Sequence, residues 1–114
     1  MITVGDQPCA QGELMIVRVG AIPNDARPMK AAGDHYIVGH SESGHHHVID
    51  KPRAEVFEAA DDAFTLWVRS LGGGAELKHL RSYDTHETLY LPGGDYMVRR
   101  QREYVPEGFR VVAD

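Results

Sequence analysis

The sequence predicts an all-β fold, a small single-domain β-barrel or β-sandwich of about eight short strands. Three observations carry that expectation. Short runs of β-branched and aromatic residues recur along the chain, separated by Gly, Pro, Asn and Asp. No amphipathic stretch is long enough to hold a stable helix. The length of 114 residues, with 42% hydrophobic and 25% charged side chains, suits one modest core shared by residues 1–114.

The elements follow in order. Residues 13–19 form a strand stopped by Gly20, and residues 22–28 form a loop because Pro23, Asn24, Asp25 and Pro28 interrupt any ladder. Strands are expected over 35–38 and 45–49, with residues 41–44 turning between them, and Lys51-Pro52 breaks the chain again. Residues 54–60 have the Ala and Glu content of a helix, but Pro52 before them and Asp61-Asp62 after them leave under three turns, so a strand over 55–58 is favoured. Residues 64–69 alternate β formers, and Gly72-Gly73-Gly74 is read as the reversal of a hairpin into 76–80. Residues 88–91 run into Pro92-Gly93-Gly94-Asp95, the chemistry of a type II turn, and 96–104 is the returning strand. Pro106-Glu107-Gly108 turns once more and 109–112 closes the chain.

Charge and composition narrow the function classes. Twelve Lys and Arg against seventeen Asp and Glu give −5, which disfavours a nucleic-acid or anionic-membrane footprint and leaves a protein partner or self-association as the expected contact. No apolar run approaches the ~18–20 residues that span a bilayer, and residues 1–11 lack the basic start and apolar stretch of a signal peptide. The expected location is therefore cytoplasmic. A lone Cys9 forms no intramolecular disulfide and has no evident base beside it. Gly39-His40-Ser41-Glu42-Ser43 misses the glycine that would complete a nucleophile elbow, and no phosphate-cradling glycine loop precedes a helix.

Histidine is the unusual feature, with seven in the chain. Protonating all of them takes the net charge from −5 to +2, so a pH-responsive binding module is one reading. The densest stretch is Gly44-His45-His46-His47. On a strand over 45–49, the period of two places His45, His47 and Ile49 on one face and His46, Val48 and Asp50 on the other. Two neutral imidazoles on one face need one or two further ligands to hold a divalent transition metal such as zinc, nickel or iron. His86, Glu87, His40 and His79 are the candidate completions. The alternative for the same residues is a packed or hydrogen-bonded histidine pair inside the fold.

Gly39, five intervening residues and then His45-x-His47 resemble the opening of the first cupin motif, which implies a metal-binding barrel. Asp50, or Glu55 farther on, stands where that motif places a carboxylate. Pro92-Gly93-Gly94 is followed by Asp95, Tyr96 and Met97 where the second cupin motif places a histidine. A fuller resemblance covers about 100 residues: Gly44-His45-His46-His47, His86-Glu87, Leu91-Pro92-Gly93-Gly94-Asp95-Tyr96 and Arg100-Gln101-Arg102-Glu103-Tyr104 resemble the motifs of a family of short uncharacterised bacterial and bacteriophage proteins. It implies an all-β domain, adds a virion to the cytoplasm as an expected location, and marks His45, His47 and His86 as the motif histidines, so the expected metal set is His45, His47 and His86 with the adjoining Glu87. Arg99, Arg100 and Arg102 with Glu103 are read first as cross-strand ion-pair formers and second as a docking surface with Tyr104.

The functional expectation is a non-enzymatic accessory or structural protein of bacterial or phage type that works through assembly or partner contacts, with a structural metal at the histidine cluster. The alternative is a cupin-like metal enzyme or small-ligand binder in which Glu87 or Glu42 moves protons.

Overall fold

The computed structural model describes residues 1–39, 46–79 and 87–100, and the strand backbone of 102–105 and 108–111. It is a two-sheet sandwich and not a closed barrel. One sheet takes β1 (Ile2–Thr3), β10 (Leu89–Leu91), β9 (Ala75–His79), β6 (His47–Asp50) and β5 (His35–Gly39), in that order. The other takes β2 (Cys9–Gln11), β3 (Leu14–Val19), β11 (Gly94–Arg100), β8 (Thr65–Ser70), β7 (Ala54–Glu58) and β4 (Arg27–Pro28). A separate two-stranded sheet pairs β12 (Arg102–Val105) with β13 (Gly108–Val111).

Alternation decides which side chains fill the space between the sheets. Leu14 and Ile16 of β3, Val68 of β8 and Tyr96 and Val98 of β11 face Tyr36, Val38, Ile49, Leu77, Leu89 and Leu91, all buried in one cluster. Each such aliphatic side chain contributes about 1.5–3 kcal/mol relative to exposure, against the entropy of ordering the chain. Tyr96 keeps its hydroxyl satisfied by donating to the Pro92 carbonyl at 2.6 Å, and Arg18 lies over its ring at 5.6 Å. Burial raises the Tyr96 hydroxyl above the usual phenol range.

Local chemistry explains the turns. Gly12, at φ 59, opens the two-residue β2–β3 connection, which needs a glycine at its first position. Asp62 ties the loop before β8: its Oδ1 accepts from the Phe64 N–H at 2.8 Å and its Oδ2 from the Thr65 hydroxyl at 2.7 Å. These bonds, the hydroxyl first, hold the Asp62 carboxyl below the usual aspartate range.

Most expected strands are present, and the expectation of a strand over 55–58 is met by β7. The 45–49 strand appears as β6, starting at His47, with His45 outside the described residues. Four other expectations are corrected. The Gly72–Gly74 segment does not close a hairpin: β8 pairs with β11 and β7, β9 pairs with β10 and β6, and the glycines carry the chain from one sheet to the other. Pro92-Gly93 likewise crosses between sheets, and the positive φ falls on Gly94 (147°) and not on Gly93, so no type II turn forms. The 96–104 strand is divided between β11, which ends at Arg100, and β12, which begins at Arg102 and lies in a different sheet. The 22–28 loop ends in the two-residue strand β4, where Pro28 is tolerated because β4 is an edge.

The sandwich edges are short or interrupted. β1 and β4 have two residues each and β2 three. β5 is longer, but its register with β6 shifts between Ile37 and Gly39, and its first residue exchanges hydrogen bonds with Ala32. Bulges and short edges discourage uncontrolled strand addition.

Candidate functional site

Registers define two ends of the sandwich. At one end the chain crosses three times between sheets, through Lys51–Arg53 (a 3-10 turn), Gly72-Gly73-Gly74 and Pro92-Gly93. At the other lie the β2–β3 turn, the start of β6, the end of β9 and the end of β11. The histidine site is at this second end.

His47 is the first residue of β6 and is fully buried, on the same inward face as Ile49. Its register partner on β9 is His79, 4% exposed, and the two rings stack with centroids 4.3 Å apart and planes within 12°. Gln11, 2% exposed on β2, binds the pair to the rest of the sandwich. Its amide nitrogen donates to the carbonyls of Leu77 and Glu87, both at 2.9 Å. With both amide hydrogens committed, Oε1 faces His47 Nδ1 at 2.9 Å. An amide oxygen only accepts, so His47 Nδ1 donates, and in the neutral ring Nε2 is the nitrogen with the lone pair. That is the tautomer a metal-binding imidazole requires, with a hydrogen-bonded partner behind it fixing the ring.

Stacking limits what the pair does with a metal. A ligated ion sits in the plane of each imidazole, about 2.0–2.1 Å from nitrogen for zinc. Two near-parallel planes separated by this stack share no such point, so as oriented only one of the two rings can serve a given ion. Among the described residues no three His, Cys, Asp or Glu side chains are grouped to hold a metal.

Of the expected ligands, His47 is placed in the core, and Glu87 sends its exposed carboxylate to the Met1 amino group while its carbonyl binds Gln11. His45 and His86 lie outside the described residues, as do His40 and Glu42. Both undescribed segments, 40–45 and 80–86, nevertheless leave from this end, directly after Gly39 of β5 and directly after His79. Gly39 is itself part of the packing, since a Cβ there would lie 2.9 Å from His47 Cδ2 and 3.1 Å from Leu14 Cδ1. The carboxylates considered for a cupin pattern are at the opposite end: Asp50 pairs with Lys78 at 3.3 Å, and Glu55 lies 4.0 Å from Arg69.

Gln11 and Glu13 carry no signal in the sequence, yet both are buried at this end, and Glu13 Oε1 is buried with no hydrogen-bond partner among the described residues. His79 is one of the four candidate completions in the sequence, and its adjacency to His47 depends on the β6–β9 pairing. Arg99 approaches Asp62 at 3.8 Å, in line with an ion-pair role, and the side chain of Arg102 lies outside the described residues. Clefts of about 190, 340 and 620 Å³ open elsewhere on the surface, and no described histidine lines them. No helix among the described residues is long and apolar enough to cross a membrane.

No curated protein and no solved structure matches the chain. A family model described as a domain of unknown function, DUF8820, matches residues 10–101, from the middle of β2 through the end of β11. That span takes in every strand of the two facing sheets except β1, and the chain therefore belongs to the DUF8820 family.

Proposed function

We propose that this chain is a non-enzymatic accessory or structural protein, of bacterial or phage type, that acts through assembly or partner contacts, with its histidine end serving stability. The observation that carries this reading is the burial of His47, pinned by Gln11 and stacked on His79. A catalytic metal needs a coordination position that substrate can reach, whereas these rings are packed between sheets and line none of the described clefts. The bacterial or phage setting rests on the motif resemblance.

A divalent transition metal held by His45 and His86 with His47 is the structural form of this reading. It is favoured by the His47 tautomer and by the departure of both histidine-bearing segments from the same end. The test is metal content by elemental mass spectrometry on tag-free protein purified without a nickel column, with thermal unfolding before and after chelation. Near-stoichiometric metal whose removal lowers the melting temperature supports a structural site, since binding energy adds to folding energy. Metal that exchanges without moving the melting temperature argues for an open site and against this reading.

A further inference from the structure

Two inward-facing positions of the six-stranded sheet carry charge where alternation calls for apolar side chains. Along β7, Ala54 and Val56 are buried, and Glu58 is the next position on the same face. Along β11, Tyr96 and Val98 are buried, and Arg100 follows them on that face, half-buried. Leu66 of β8 joins the two strands as the register partner of both Glu58 and Val98. Other charges of this sheet are paired, Arg69 with Asp95 and Arg99 with Asp62. Among the described residues neither Glu58 nor Arg100 has an ion-pair partner, in each other or in any other side chain. A charge on an inward face that nothing pairs costs stability that an apolar side chain would not.

Both charges line one cleft of about 190 Å³ between the sheets. Ile37 and Val38 of β5 form one wall, Leu66 and Val98 the other, and Met29 lies beside them. The cleft reaches the core, because Val38 and Val98 belong to it and Met29 and Leu66 pack against it while only partly buried. An apolar cavity of about 150 Å³ accommodates benzene, so this one has room for a phenyl or a branched aliphatic group. Glu58 and Arg100 stand two strands apart, about 10 Å at the backbone, and their long side chains narrow that gap from both sides. A purely anionic ligand would be repelled by Glu58 and a purely cationic one by Arg100. A ligand that satisfies both carries both charges close together on an apolar body.

We propose that this cleft binds a free apolar α-amino acid. Its side chain lies among Met29, Ile37, Leu66 and Val98, its carboxylate accepts from the Arg100 guanidinium, and its ammonium donates to the Glu58 carboxylate. The planar guanidinium fork matches a carboxylate in two parallel hydrogen bonds. The site uses none of the histidine residues and does not depend on the assembly reading.

The experiment is calorimetric titration of the full chain with L-phenylalanine and L-leucine, each beside its deaminated analogue (hydrocinnamate, isocaproate) and its decarboxylated analogue (phenethylamine, isoamylamine). Wild type, Glu58→Gln and Arg100→Gln are compared, with circular dichroism and melting temperature confirming that both variants are folded. The expected result is one amino acid bound per wild-type chain, with each analogue at least ten-fold weaker. Each variant should bind the amino acid at least ten-fold more weakly. Glu58→Gln should no longer prefer the amino acid to the deaminated analogue, and Arg100→Gln should no longer prefer it to the decarboxylated one. Ligand-induced NMR shifts in the wild type should centre on the methyl groups of Met29, Ile37 and Leu66. Failure of both amino acids to bind at millimolar concentration overturns the proposal. So does a deaminated or decarboxylated analogue that binds the wild type as tightly as its parent, or binding that both folded variants leave unchanged.

Discussion

Replacing Gln11 with leucine removes the polar link that joins β2, β9, the segment leading into β10 and His47. Three hydrogen bonds are lost, to the Leu77 carbonyl, the Glu87 carbonyl and His47 Nδ1, each at 2.9 Å. Leucine nearly fills the same volume, so the cavity contribution is small and the loss is chiefly polar. A net hydrogen bond contributes about 1 kcal/mol, and a buried group left without its partner costs about 1–3 kcal/mol. Leu77 and His47 are both fully buried, which places the expected loss at about 3 kcal/mol or more. For a domain of this size that is a fall in melting temperature of roughly 10 °C. Thermal and urea unfolding of wild type and Gln11→Leu measure it. Nitrogen NMR of the wild-type imidazole adds an independent check, with the proton expected on Nδ1 of His47. A stability loss below about 0.5 kcal/mol, the range of an inconsequential surface change, would refute the reasoning. So would a proton found on Nε2 alone.

The remaining predictions are smaller. Gly39→Ala forces a Cβ against His47 and Leu14 and should lower stability by about 1–3 kcal/mol; an unchanged unfolding midpoint would show that the histidine end is loosely packed. Gly74→Ala meets both a left-handed φ of 80° and the Tyr90 hydroxyl, so a comparable loss is expected in chemical denaturation. Glu13→Gln neutralises a buried carboxylate whose Oε1 has no partner among the described residues and should raise the melting temperature; a fall would point to a stabilising cation at that carboxylate. The lowered Asp62 pKa gives stability that is present above the ordinary aspartate value of about 4 and lost as pH falls below it. The wild-type advantage over Asp62→Asn should therefore shrink as pH falls below about 4, and a constant gap would contradict the assignment.

Period-two patterning makes β3 and β7 legible, because each buries one face and their inward residues alternate cleanly enough to be read locally, and the run of β formers over 64–69 marks β8. The same patterning put His47 and Ile49 on one face, where both are buried. Turn chemistry was a weaker guide. Gly72-Gly73-Gly74 and Pro92-Gly93-Gly94 do reverse the chain, but a flexible turn says nothing about which sheet receives the next strand, and both segments cross the sandwich. The division between β11 and β12 is hidden by a continuous run of strand formers. At the histidine end, the imidazole stack needs the β6–β9 pairing and the Gln11 bond spans 36 positions, so neither was visible as local spacing. A glutamine that satisfies two carbonyls and one imidazole looks, in sequence, like any polar residue near a turn.

The most direct test of the structural role of the histidine end is metal content combined with the melting temperature of tag-free wild type and a His45→Ala/His47→Ala variant. The predicted result is near-stoichiometric metal in the wild type, absent from the variant, with a melting temperature that drops on chelation and rises again when metal is restored. Metal that is lost and regained with no change in melting temperature, or a variant as stable as the wild type, would contradict a structural role for the site.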